Sequence, residues 1–152
     1  MPNDTSTMLT ITGTNKNIKF FIDTVKNENS NLLFNNLFPI PEYQKNNWIW
    51  YSINWGVKCD TYNVGNWVIA DNIASIKYYT AWCPATDFFL KISEDFPDLK
   101  FTNVFADGGG GFVGCTKISN GMLIEKSEYH WLSKKGIMIR KIVGYFYEDE
   151  NS

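Results

Sequence analysis

Apolar and polar positions change period along this chain, and each change marks an element. Met8-Leu9-Thr10-Ile11-Thr12 alternates and is rich in β-branched residues, which predicts a first strand ending at Gly13. Ile18, Phe21, Ile22 and Val25 then recur at helical spacing, so a helix near residues 15–27 carries one apolar face, with Thr14 or Asn15 as its N-cap. Pro39 and Pro41 forbid a helix across the apolar stretch that follows, which predicts a loop pinned to the core by Phe34, Leu37 and Phe38. From Ile73 to Trp82 alternation returns: Ile76, Tyr78, Thr80 and Trp82 share one face, Lys77 and Tyr79 the other. Pro84 is placed to open a second helix over residues 85–96, with Ala85, Phe88, Phe89, Ile92 and Phe96 inward and Pro97 ending it. Leu99 to Ala106 and Phe112 to Ile118 read as strands. Asn120-Gly121 is a two-residue hairpin signal leading into Met122-Leu123-Ile124-Glu125-Lys126. Residues 127–147 carry both signals: Ile139, Ile142, Val143 and Phe146 suit a helix, while Gly136, Gly144 and the β-branched content suit strands, and the choice stays open.

Between the first helix and the long strand lies a different kind of segment. Trp48-Ile49-Trp50-Tyr51-Ser52-Ile53-Asn54-Trp55-Gly56 holds three tryptophans within eight positions. It reads as one or two helical turns that carry an aromatic anchor into the core and end at Gly56. A short strand over Val57 to Asn63, a turn at Asn63-Val64-Gly65-Asn66 and a turn at Asp71-Asn72 complete the segment. The resulting order contains the βαββαβ pattern of ferredoxin-like folds. The expected class is α+β: an antiparallel sheet with two helices on one face, a C-terminal β-hairpin and a long Trp-rich insertion. Trp55 and Trp82 are both expected to be largely buried.

With 152 residues the chain suits one domain. The expected division is a flexible start over residues 1–7, a single domain over 8–147 and an acidic tail over 148–152. A net charge of −2 provides no broad field for phosphates, while an aromatic share of 16% is rich. Cys59, Cys83 and Cys115 are odd in number and widely spaced, and His130 has no cysteine near it, so neither a metal nor a cofactor is expected. Free thiols, a polar N-terminus without an apolar run and no segment of membrane-spanning length point to a cytoplasmic protein without membrane contact.

Candidate chemistry is sparse. Gly109 to Gly114 fits G-x-G-x-x-G literally, but strands flank it where a dinucleotide site needs a helix, so a tight or bulged hairpin is the expected reading. Asp107 beside the glycines is a candidate general base, and the sequence beside it shows no recognisable carboxylate or histidine to act with it. His130 lacks a nucleophile and an orienting group. Cys83 before Pro84 is a candidate low-pKa thiol, with a buried inert thiol as the blander alternative. Lys58 and Asp60 form either a small polar site or a surface ion pair. No nucleophile–base pair emerges, so the chain is read as a non-enzyme.

Several short motifs nevertheless occur in a familiar order: Leu9-Thr10-Ile11-Thr12-Gly13, Phe38-Pro39-Ile40-Pro41-Glu42, Asn54-Trp55-Gly56-x-Lys58, Ala81-Trp82-x-Pro84, Phe96-Pro97-Asp98-Leu99 and Gly111-Phe112-x-Gly114. In this the chain resembles the YubB-type ferredoxin-like domain proteins of bacteriophages and plasmids, over roughly Met8 to Lys126. Cys59 stands where that pattern has a tryptophan. The resemblance implies a ferredoxin-like fold and a mobile-element origin. Together with the aromatic content it leads to an expected accessory role: binding a host or element macromolecule, inhibition of a bacterial defence system (anti-CRISPR-like) being one form of it. A protein is the first candidate partner, met through Trp48, Trp50, Tyr51, Tyr62, Trp67 and Tyr79, with Lys58 and Asp107 at a polar rim. A single-stranded nucleic acid is the second, stacking on a sheet face carrying Tyr78, Tyr79, Phe101, Phe105 and Phe112.

Overall fold

The first strand is longer than its apolar alternation. In the computed structural model, which describes residues 3–109 and 111–144, β1 runs Asp4–Thr12 and is paired along both edges. Thr5, Ser6 and Thr7 are buried there, so most of the expected flexible start is central strand. Two ladders of backbone hydrogen bonds hold these small polar residues in place, which hydropathy does not register. Met1 and Pro2, like the acidic tail 148–152, Phe146 and Gly110, lie outside the described residues.

Five further strands complete one antiparallel sheet: β2 (Val68–Ala70), β3 (Ile73–Ala81), β4 (Lys100–Asp107), β5 (Phe112–Ser119) and β6 (Met122–His130). Their order is β2-β3-β1-β4-β5-β6. The four strands β4-β1-β3-β2, with a helix after β1 and another after β3, form the βαββαβ unit, and β5 and β6 extend it beyond β4. Both central residues of the last hairpin have positive φ, 48° at Asn120 and 76° at Gly121, as its tight turn requires. β6 runs to His130, past the expected end at Lys126.

The first helix, α1 (Asn15–Val25), buries Ile18, Phe21, Ile22 and Val25, and the Thr14 hydroxyl accepts from the Asn17 amide at 3.3 Å. It stops because the Asn27 side chain takes the Asn29 and Ser30 amides into a turn. The expected loop before Pro39 contains one helical turn, α2 (Phe34–Leu37), that drives Phe34 fully into the core. The tryptophan segment forms α3 (Trp48–Asn54), followed by Gly56 at φ 76°. The second major helix, α4 (Thr86–Ile92), is shorter than expected and starts two residues after Pro84. Past Ile92 the chain tightens into i to i+3 turns, Asp95 to Ile92 and Phe96 to Ser93.

No strand forms over residues 57–63. Only Tyr62 bridges to Tyr79, because the Asp60 carboxylate is committed elsewhere, accepting from the amides of Phe34 at 2.8 Å and Asn35 at 3.1 Å at the start of α2. The ambiguous tail resolves into α5 (Lys134–Ile142), with the Ser133 hydroxyl accepting from the Gly136 amide. α1 and α4 cover one sheet face over a core that includes Leu9, Ile11, Ile76, Phe88, Phe89 and Phe101. α5 covers part of the other face, where Trp131, Ile139 and Val143 pack with Ala106 and Val113. The Ser6 hydroxyl donates to the Val143 carbonyl at 2.7 Å, tying the last turn of that helix to the central strand. No helix among the described residues is long and apolar enough to cross a membrane.

Candidate functional site: an aromatic rim and a polar cleft

Strand register sorts the helix-covered sheet face into rows. One row, Ala74–Ile11–Phe101–Ile118, is wholly apolar and lies in the main core. Two rows on, Tyr78–Thr7–Phe105–Gly114–Glu128 mixes types, and the last row, Thr80–Thr5–Asp107–Phe112–His130, is largely polar. Asp107, expected at an exposed rim, is only 1% exposed in that row, and the Thr5 hydroxyl donates to its Oδ2 at 3.1 Å. Asp107 ends a strand flanked on both sides, so its side chain enters the layer between sheet and helix.

A cleft of about 270 Å³ opens beside this polar end, between the start of α4 and the β5–β6 hairpin. Phe105 and Phe112, edge to face at 6.1 Å, form its apolar wall. Thr116, Asp87, Lys126 and Glu128 contribute its polar groups. Gly114 makes the wall: a Cβ there would meet the Phe105 ring at 2.6 Å and the Ser127 carbonyl at 2.7 Å. The Cys83 thiol donates to the Gly56 carbonyl at 3.0 Å, and its pKa is pushed up, first by burial and then by the nearby Asp107 and Asp87 carboxylates. That is opposite to the lowering expected of a reactive thiol at a helix start.

The tryptophan segment forms the adjoining rim. Trp55 is buried, as expected, and its indole N–H donates to the Phe38 carbonyl at 3.0 Å. Tyr51 stacks on Trp55 at 5.0 Å, and Trp50 packs edge-on against both Trp55 and Phe38, so these two candidates chiefly support the core. Trp48 is 59% exposed, and Trp82, expected inside, is 45% exposed. β3 ends at Ala81, and Trp82 takes a φ of 76°, which turns its ring away from the face that alternation assigns to it. Lys58 joins the two rings: its ammonium lies 4.3 Å from the Trp82 centroid and 5.9 Å from that of Trp48. Trp82 runs directly into Cys83 and Pro84 of the cleft, so rim and cleft are continuous along the chain.

The remaining candidates lie elsewhere. The Tyr62 hydroxyl donates to Asp4 and its ring tilts against Tyr79, while Trp67 donates to the Asn31 carbonyl at 2.9 Å and meets Phe21 edge-on. Lys58 and Asp60 make no joint site, since Asp60 serves α2. Of the five aromatic residues expected to stack a nucleic acid, Tyr78, Phe101 and Phe105 are fully buried beneath the helices, while Tyr79 and Phe112 are half-buried. Gly111, at φ 69°, donates its amide to the Asp107 carbonyl at 2.9 Å, a hairpin role for the described part of the glycine run. Among the described residues, no group of three or more His, Cys, Asp and Glu could hold a metal. Sequence reasoning missed Trp82 and the Thr116–Glu128 side of the cleft, and cross-strand register is the signal that unites the latter.

Residues 60–139, from Asp60 through most of α5, match the family model described as a ferredoxin-like domain in Api92-like protein. The chain belongs to that family. Its Api92-like segment includes every cleft residue named above except Gly56, whereas Trp48 and Lys58 precede it. It also extends past Lys126, the C-terminal limit of the motif resemblance, into α5. The crystal structure of a protein Api92 from Yersinia pseudotuberculosis superposes with a TM-score of 0.53 at 15% identity, over 63% of this chain and 39% of that one. This likeness concerns the fold, and the chain spans about two-fifths of the length of that Api92 protein. No protein of curated function matches the sequence.

Proposed function

We propose that this protein acts by binding a protein partner, without turnover, through the rim formed by Trp48, Lys58 and Trp82. The carrying observation is the placement of one ammonium group against two solvent-exposed indoles drawn from three separate parts of the chain. Large amphipathic rings held in position lose little entropy on contact, and tryptophan side chains concentrate binding energy. Ile49 and Ile53 extend the exposed apolar surface along α3. The chemistry beside the rim favours binding over catalysis: burial pushes the Cys83 thiol pKa up, away from a reactive thiolate.

The resemblance of the motif order to YubB-type domains supports a mobile-element accessory role in the bacterial cytoplasm, with inhibition of a host defence system as one form of that role. The test is affinity capture from host lysate with the intact protein and a Trp48→Ala/Trp82→Ala variant. The intact protein should retain a defined partner and the variant, equally folded by circular dichroism, should lose it. Equal retention by both would refute the rim as the binding surface.

A further inference from the structure

The cleft beside the rim holds an unexplained group. Thr116 is 1% exposed, lines the cleft, and its hydroxyl finds no hydrogen-bond partner among the described residues. A buried hydroxyl without a partner costs on the order of 1–3 kcal/mol and calls for an explanation. An occupant supplying that partner is one, and the cleft walls define its chemistry. Asp87 from α4 and Glu128 from β6 present carboxylates to it. Lys126 opposes them with one positive charge, but its contact with Glu128 is long, 3.9 Å, and both side chains are well exposed. The balance is negative. Phe112, backed edge to face by the buried Phe105, supplies an aromatic wall, which favours a cation over an anion.

We propose that this cleft binds an organic cation, a guanidinium or ammonium group on a short apolar stem. The carboxylates of Asp87 and Glu128 accept from its N–H groups, the Thr116 hydroxyl accepts one more, and the Phe112 ring packs against the stem. The cavity of about 270 Å³ lies just below the 300–1,000 Å³ of sites for drug-sized ligands, so a single basic side chain or a small amine matches it in size. A planar guanidinium suits the pair of carboxylates best, because its fork of donors can engage both at once. Where the protein-binding proposal holds, an arginine of the partner supplies the cation; a free amine would use the same chemistry.

The experiment follows backbone amide shifts by NMR while N-acetyl-arginine methylamide is added, with the uncharged citrulline analogue as control. Saturable shifts at Cys83, Thr116 and Glu128 are expected with the arginine probe alone. Asp87→Asn/Glu128→Gln should weaken binding at least about tenfold, the loss of charge-assisted bonds. Thr116→Val, which removes the unpaired hydroxyl and keeps the shape, should weaken binding without lowering the melting temperature. Equal shifts from the citrulline probe, no saturable shift, or unchanged affinity in the carboxylate variant would each overturn the proposal. Trp48→Ala separates the two ideas: it should leave the arginine response intact, whatever happens to partner capture. A peptide bearing one arginine among apolar residues that binds more tightly than the free probe, and loses that gain in Trp48→Ala, identifies a protein as the source. A peptide no tighter than the free probe identifies a small amine.

Discussion

The Lys58 ammonium sits 4.3 Å from the Trp82 ring centroid, at a position where the backbone of Trp82 is left-handed. A bulky residue in that conformation is strained by roughly 1–2 kcal/mol, and the strain is what presents the ring to solvent. Trp82→Gly should therefore be at least as stable as Trp82→Ala, since glycine adopts positive φ freely. Chemical denaturation of the two variants checks this, and an alanine variant more stable than the glycine one would contradict it. Lys58→Ala should alter tryptophan fluorescence while changing stability by no more than about 1 kcal/mol, the range for an exposed cation–π contact.

Trp55 is the opposite case. It is buried, stacked on Tyr51, edge-on to Phe34 at 5.9 Å, and bonded through its indole N–H to Phe38. Trp55→Ala should cost about 3–5 kcal/mol, measured by urea unfolding. An unchanged melting temperature would show that α3 does not anchor to the core.

Gly114→Ala should destabilise by about 1–3 kcal/mol through overpacking. The added methyl meets the Phe105 ring and, at 2.7 Å, the backbone carbonyl of Ser127, which cannot move without disturbing the β5–β6 ladder. The same substitution should perturb the cleft wall, visible as shifts in the Phe112 and Thr116 amides. A variant with wild-type stability and spectrum would contradict the close approach.

Asp60 sets a pH dependence. Burial raises its pKa above the ordinary aspartate value, a rise opposed but not cancelled by the amides of Phe34, Thr61 and Asn35. The folded protein therefore takes up this proton before the unfolded chain does as pH falls. The contribution of Asp60 to stability should then rise as pH falls through its folded pKa, levelling off below the unfolded value. Carboxyl NMR titration should place its midpoint above that of an exposed aspartate, and Asp60→Asn should remove its share of the slope of stability against pH. A midpoint at or below the ordinary value would reverse the sign.

The chain alone determined the parts whose signal is local. The apolar face of α1 is written in side-chain spacing, the Asn120-Gly121 turn in the need for two positive φ angles, and the burial of Trp55 in a dense aromatic segment ended by a glycine. The βαββαβ order follows from such local signals taken in sequence. Tertiary structure decided the rest. Thr5 to Thr7 look like a polar terminus until two flanking strands pair with them, and Asp107 looks exposed until β1 and β5 enclose it. Trp82 follows the strand alternation in the sequence, yet one left-handed residue turns it outward to meet Lys58, which lies 24 positions earlier. The tail became a helix because the uncovered sheet face around Ala106 and Val113 could bury Ile139 and Val143. Pattern reports the preferences of neighbours along the chain, whereas burial, pairing and the meeting of distant charges depend on neighbours in space, which only the folded sheet brings together.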